Sequence, residues 1–509
     1  MKERKLSRLE DYVFLSALDR DEFFLVQRDG HVWKQNGDEA GTPVGRDFSR
    51  AFYNWKTFIG DKSKWSWVKG WMPVLQIEND SGKRIQMLVK GDSLWIRDDL
   101  SVVSHPEGGR ISNEHFEDEM CLLEKYWTDW FKSGWYPPRL NSRMDDAWRS
   151  SWIQARSAYS GKHPHYGVGY YGKCQHDGFP PTTCAMVSTL LEYGHVHLAQ
   201  DIFSYYLDRF LMPDGHVDYY GVSLAELGMV LILGAGMLDY SGGEDWLREN
   251  LRPLAALFRQ LTRCRNPVMS RQEQGLMFGV PEADQRHDAG VFFHNNAFVW
   301  RAFQAWAAAM SRLGHLEVAV EAGRHARELK TAMDMALHSA KRNNGMVPSR
   351  IDKEEKFKNF AESREAAYVN YRYYPELLEA NILSADDAAK IIVARETLEG
   401  EVHGMTCFGY PGDECRFDNW TLASYARGLL ELGDRTRFIN VFANHGFHHQ
   451  TQDTFTTYEQ VSKDGCPRRA FADWCVPCQL VLPRLLAWSF KYVTWDGRTI
   501  SWDGKGIVG

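Results

Sequence analysis

The chain has no long hydrophobic run. Its longest apolar stretch, "LGMVLILGAGML" at 227–238, is too short to span a bilayer. It has no excess of positive charge either: 60 Lys and Arg stand against 67 Asp and Glu, a net charge of −7. That balance speaks against a nucleic-acid footprint or a polybasic membrane surface. The N-terminus, "MKERKLSRLEDYVFLSALDRDEFF", lacks the apolar core of a signal peptide. Cysteine is sparse, nine residues scattered and odd in number, the usage of reduced thiols in a cytosolic protein. Together these absences predict a cytoplasmic protein with no nucleic-acid and no membrane partner. Aromatic residues, by contrast, are plentiful: 19 Trp, 22 Tyr and 27 Phe. Such rings fill cores, and they also form the platforms on which sugars stack.

The pattern changes once along the chain. Residues 1–112 alternate apolar and polar positions, with turn signals at Arg28-Asp29-Gly30 and Asn79-Asp80-Ser81-Gly82, and read as a small antiparallel β domain. Residues 113–144 begin with an amphipathic helix, "NEHFEDEMCLLEKYWTDWFKSG", and read as a linker helix and connection. Residues 145–509 repeat one motif. An apolar helix ends in a tight Gly turn, a more charged helix follows, and then a long polar-aromatic loop. The apolar helices are expected at 182–194, 223–236, 295–314, 364–383, 419–433 and 472–490. Their charged partners are expected at about 145–159, 196–211, 244–263, 315–340, 386–400 and 434–450. Six helical hairpins at a period of roughly 50 residues make a helical array. Helices apolar nearly all round suit the inside of a closed double ring, so the predicted fold is mainly α, an (α/α)6 toroid behind a small N-terminal antiparallel β domain.

Six long loops lead into the apolar helices, at about 161–181, 212–222, 264–294, 341–363, 401–418 and 451–471. A rigid scaffold tends to carry its function on such loops. Loop three, "GVPEADQRHDAG", packs Glu282, Asp284 and Asp288 around Arg286 and His287. Loop six, "TTYEQVSKDG", carries Glu459. In a ring of six, loops three and six face each other. Opposed carboxylates in an aromatic funnel are what inverting glycoside hydrolysis needs: one protonated for the leaving oxygen, one ionised to activate water, roughly 6.5–9.5 Å apart. The bland reading of Glu282 is an ion pair with Arg286, and that of Glu459 a hydrogen-bond acceptor within its loop.

On these motifs the chain resembles the six-hairpin glycosidases: glucoamylases, trehalases, processing α-glucosidases and α-L-rhamnosidases. "TTYEQVSKDGCPRRAFADW" is similar to the glucoamylase segment that carries the base, and "GVPEADQRHD" before "NNAFVWRAF" to the segment that carries the acid. The resemblance implies Glu459 as base. It implies Glu282, then Asp284, then Asp288 as acid. His176-Asp177 in "KCQHDGFPP" resembles the groups that bind sugar hydroxyls at the cleaved residue, although helix capping also explains an Asp before Pro-Pro. Tyr170, Tyr219, Trp420 and Trp474 are expected among the aromatic lining, with Arg286 and Glu414 as polar substrate ligands. The pattern departs from the family at Pro281, where glucoamylases often have Trp, and in the shortness of the β domain.

The sequence reading is therefore an inverting, exo-type glycoside hydrolase acting on a small or oligomeric carbohydrate, without metal or cofactor; a homo-oligomer is compatible with it. Rival readings on the same fold are a glycoside phosphorylase, an unsaturated-glucuronyl hydrolase, and a sugar epimerase using His176, His216, His287 or His403. A rival of another class is a non-catalytic, carbohydrate-binding helical-repeat protein. Two further motifs are discounted. "GVGYYG" (167–172) fits a dinucleotide fingerprint, but no strand signal precedes it. "CVPC" (475–478) is a single CxxC, read as packed thiols inside a helix.

Overall fold

The structure is a computed structural model. It describes residues 12–17, 22–27, 32–36, 46–47, 63–105, 109–138, 140–159, 161–172, 176–219, 223–265, 275–282, 285, 287–344, 347–351, 358–412, 415–452, 454–463, 474–493, 501–502 and 507–508. Backbone contacts divide the chain into two units: residues 1–177, 192–195 and 442–509 in the first, and 178–191 and 196–441 in the second.

The first unit opens with antiparallel sheets. Tyr12–Ser16, Glu22–Gln27, Val32–Asn36 and Arg46–Asp47 pair in chain order. A six-stranded meander follows, from Lys64–Val68 through Met72–Glu78, Arg84–Lys90, Ser93–Arg97 and Val102–His105 to Arg110–Ile111. The turn signal at Asn79 operates as the sequence implies, its side-chain oxygen accepting from the amides of both Ser81 and Lys83 at 3.0 Å. Helix Asn113–Lys132 starts where Ser112 accepts from the His115 amide, and helix Ser142–Ser157 where Asn141 accepts from the Met144 amide. The two helices bury Trp127, Phe131, Trp148 and Trp152. Ser142–Ser157 also packs on the late helices Val476–Gln479 and Val481–Tyr492. The break between those two falls at Leu480 because Pro483 cannot donate to the Gln479 carbonyl. Cys475 therefore precedes the helix instead of lying within it, which corrects the expectation for "CVPC".

Among its described residues the second unit is mainly helical, with short strands at Glu401–Val402, Met405–Phe408 and Arg416–Asp418. Leu224–Gly236 packs along Phe293–Arg312, which packs along Leu316–Asn344; Tyr374–Glu379 packs on Leu422–Glu431. Helix Val196–Phe210 also lies within a few residues of its expected span. Two expected helices are interrupted. The charged helix expected at 244–263 breaks at Asn250, three residues before Pro253, into Gly243–Glu249 and Leu251–Arg263. The apolar helix expected at 364–383 is split into Arg364–Tyr368, a π turn at Val369–Tyr373, and Tyr374–Glu379. Pro375 leaves the Tyr371 carbonyl without its helical donor, and the Thr421 hydroxyl fills the vacancy. Arg372 sits in that π turn.

Candidate active site

Loop three is held by the helix that follows it. His294, Asn295 and Asn296 open helix Phe293–Arg312, and all three are buried. His294 Nε2 lies 3.1 Å from the Pro281 carbonyl, and Asn295 donates to the Val280 carbonyl at 2.9 Å. Asn296 accepts from the Met277 amide at 2.7 Å. Gly279 and Gly290 exchange backbone hydrogen bonds of 3.0 Å, pinching the loop between them. A Cβ on Gly290 would stand 2.3 Å from the Arg350 guanidinium, so a larger residue there would have to displace that side chain.

Glu282 sits on this pinched loop, 7% exposed. Arg372 donates to Glu282 Oε2 at 2.6 Å, while Arg286, the partner considered from the sequence, lies outside the described residues. The same guanidinium donates to Glu226 at 2.6 Å and to Glu376 at 2.9 Å. One cation thus serves three buried carboxyl groups. Burial opposes the charge on Arg372, but the three carboxylates outweigh it and hold its proton firmly. Glu376 is pushed up to about 8, by burial first and then by its acidic neighbours against Arg372. Its second oxygen has no hydrogen-bond partner among the described residues and lies 3.8 Å from His294 Nε2. His294 itself is pushed down to about 3 by burial and stacks on Tyr373, centroids 4.7 Å apart. Tyr368, lifted to about 12 by burial and then by the Glu282 charge, also faces this group.

An aromatic wall adjoins it. Phe179 contacts Tyr219 and Trp420 at 5.2 and 5.8 Å, and the Arg372 guanidinium lies over the Trp420 ring at 4.6 Å. Tyr219 and Trp420, both half-buried, are therefore gathered beside the acidic cluster. Asp288, the third choice of acid, is bound at 2.5 Å by Arg350. Asp284, Arg286 and Glu414 lie outside the described residues, as does the side chain of Tyr170.

In the first unit, Glu459 is half-buried and accepts from the Tyr166 hydroxyl at 3.1 Å. Burial first, then the neighbouring Cys475 and the Glu459 charge, keep Tyr166 protonated as a donor. His176 rests against Tyr166 and Tyr171 at 5.6 and 5.8 Å, so His176 and Glu459 share one tyrosine. The Glu459 loop is pinned by one side chain, Gln479. It accepts from the Thr457 amide at 2.7 Å and donates to the Phe455 carbonyl at 3.0 Å. The Thr454 carbonyl takes three further donors, from Trp67, Ser150 and Gln154, at 2.7 to 3.1 Å.

Two expected substrate ligands are placed otherwise. Trp474 has no exposed surface and gives its indole N–H to Gln479 at 2.9 Å, so it packs the loop and cannot face a sugar. Asp177 is 1% exposed, with its two oxygens on His163 and His165. The glycine pattern at 167–172 is also explained: a Cβ on Gly167 would meet the Trp474 carbonyl at 2.2 Å, so glycine there allows close backbone approach.

Glu226, Arg372 and Glu376 escaped the sequence reading. Their signal was present in retrospect. Each is a charge inside an otherwise apolar helix, and Arg372 and Glu376 are four apart on one face.

No family model matches the chain, and none of the curated proteins matches it. Among solved structures, a bacterial glucoamylase complexed with acarbose overlaps 96% of this chain and 94% of its own, with TM-score 0.56 and 9% identity. A rhamnosidase from Klebsiella oxytoca with rhamnose bound overlaps 71% of this chain and 66% of its own, with TM-score 0.46 and 11% identity. A D-mannose isomerase overlaps 70% of this chain and all of its own, with TM-score 0.45 and 11% identity. The glucoamylase likeness spans nearly the whole of both chains, and it assigns the fold class: mainly α, of the (α/α)6 helical-hairpin type, with a small antiparallel β region.

Proposed function

We propose that the protein is an inverting, exo-type glycoside hydrolase. The observation that carries the reading is the pair of loop-borne carboxylates, Glu282 and Glu459, each held by buried side chains that fix the backbone beneath it, on a chain with the fold of a glucoamylase. Inverting hydrolysis needs one carboxyl group to protonate the leaving oxygen and a second to activate water.

Glu459 is the general base. Tyr166, a neutral donor, orients the carboxylate without cancelling its charge, and Glu459 is partly exposed. Glu282 is the general acid. It shares one guanidinium with two more carboxyl groups, of which Glu376 is pushed up to about 8 by burial. Of the three, Glu282 is the most exposed, the others being 2% and 0% accessible. Tyr219 and Trp420 supply stacking surface for the sugar. Asp284 is the second choice of acid.

The test is a panel of aryl glycosides with the wild type and the Glu282→Gln, Asp284→Asn and Glu459→Gln variants. Loss of roughly 100-fold or more in kcat is expected for Glu282→Gln and Glu459→Gln. Full activity in Glu282→Gln with loss in Asp284→Asn would move the acid to Asp284. Activity surviving all three changes would remove the site from these loops.

A further inference from the structure

A second cluster of ligating groups lies in the first unit and takes no part in the hydrolysis proposed above. We propose that His163, His165 and Asp177 form a binding site for one divalent d-block cation of the Zn2+ type. His163 Nε2 stands 2.8 Å from Asp177 Oδ2, and His165 Nδ1 stands 3.0 Å from Asp177 Oδ1. One ligand atom from each residue lies within 4.8 Å of the other two, so a single ion reaches all three after small side-chain adjustments. Two imidazole nitrogens and one carboxylate oxygen are the donor set of zinc sites that keep a position open.

Burial and charge favour a cation there. Asp177 and His165 are 1% and 3% exposed, while His163 keeps 27% of its side chain exposed and gives the entry path. Both Asp177 oxygens face imidazole nitrogens inside the fold. In the metal-free protein each imidazole has to present a proton to that carboxylate. A bound metal ion would take that nitrogen as its ligand, and each neutral imidazole would carry its proton on the other ring nitrogen. The Phe23 ring lies edge-on to His165 at 6.0 Å, shielding that ligand from water.

The consequence is positional. Asp177 is 14 residues from His163, and the ion would staple the two ends of that segment together. Tyr166, the donor to Glu459, lies one residue past His165. The cation would thus fix the loop that presents Tyr166, and its binding does not depend on the hydrolase reading.

The test uses the full chain, untagged and stripped of metal by a chelator, then titrated with Co2+ and with Zn2+. The wild type is expected to take up about one ion per chain, to melt at higher temperature, and to show d–d absorption with Co2+. His163→Gln, at a partly exposed position, and Asp177→Asn are each expected to weaken uptake by more than the roughly 10–100-fold that loss of an outer-shell partner causes. If Asp177→Asn does not fold, His163→Gln decides. Equal uptake by wild type and His163→Gln, no uptake by wild type, or a thiolate-to-cobalt charge-transfer band from a cysteine site would each overturn the proposal.

Discussion

Arg372 is the residue on which the second unit's acidic cluster depends. It is 1% exposed and bound to three carboxyl groups, so removing it strands buried charge. Arg372→Met is expected to cost roughly 3–5 kcal/mol in urea unfolding, the range for breaking a buried pair by deleting one partner. A loss under about 1 kcal/mol would mean that the carboxyl groups are not buried as described. Glu376 makes a finer prediction. Its folded value of about 8 lies above the ordinary 4.5. Between those values the unfolded chain has released this proton while the folded chain keeps it, so the contribution to stability falls as pH rises and is lost above about 8. The groups facing it are Arg372, Glu226, Glu282, Glu379 and His294. His294, held near 3, acts in the opposite direction, losing stability as pH falls below 6.5. Glu376→Gln, a neutral isostere, should flatten the fall in melting temperature between pH 4.5 and 8 while leaving the acid side unchanged. An unaltered pH profile would show that Glu376 is ionised in the folded protein. None of this was legible in the sequence. Glu282 was found there because a loop rich in carboxylates stands out, but its partner lies 90 residues away and burial decides its chemistry.

At the scale of elements, the sequence was a better guide. Apolar periodicity and Gly turns placed the helices of both units within a few residues of where they are, because burial of one face dictates both the residues and the helix. The errors fall at prolines and at a π turn. Pro253, Pro375 and Pro483 each remove a backbone donor near a break. A 3.6-residue period carries no sign of the extra residue that re-aims Arg372. Trp474 is ambiguous for a related reason: a tryptophan beside a predicted active-site loop can line it or support it, and the pattern is the same for both. Glycines that let helices approach were not separable from those in turns. Gly428 is such a case. A Cβ there would lie 2.6 Å from the Leu378 Cβ and 3.0 Å from its carbonyl carbon. Gly428→Ala should destabilise by roughly 1–3 kcal/mol by forcing helix Leu422–Glu431 away from Tyr374–Glu379. Gly234→Ala, which meets only the end of the Leu254 side chain at 2.8 Å, should cost less, as compared by denaturant midpoints. The reverse order would show that these helices are not in backbone contact.

At the scale of the whole molecule, a chain 9% identical to a glucoamylase keeps its fold over 96% of its length. Such persistence is expected where apolar faces and helix ends are retained while the residues on them change. Fold alone does not choose among hydrolysis, phosphorolysis and epimerisation, all of which the sequence kept in view. The choice rests on the chemistry of Glu282 and Glu459. A base that activates water on one side of the sugar while an acid serves the other fixes the stereochemistry of the product. The direct measurement is proton NMR of the first-formed sugar from a cleaved glycoside, recorded before mutarotation. The proposed acid and base predict a product of inverted anomeric configuration, formed by the wild type and lost in Glu459→Gln. A retained configuration, or an inverted product still formed at full rate by Glu459→Gln, would contradict the assignment of Glu459 as the base.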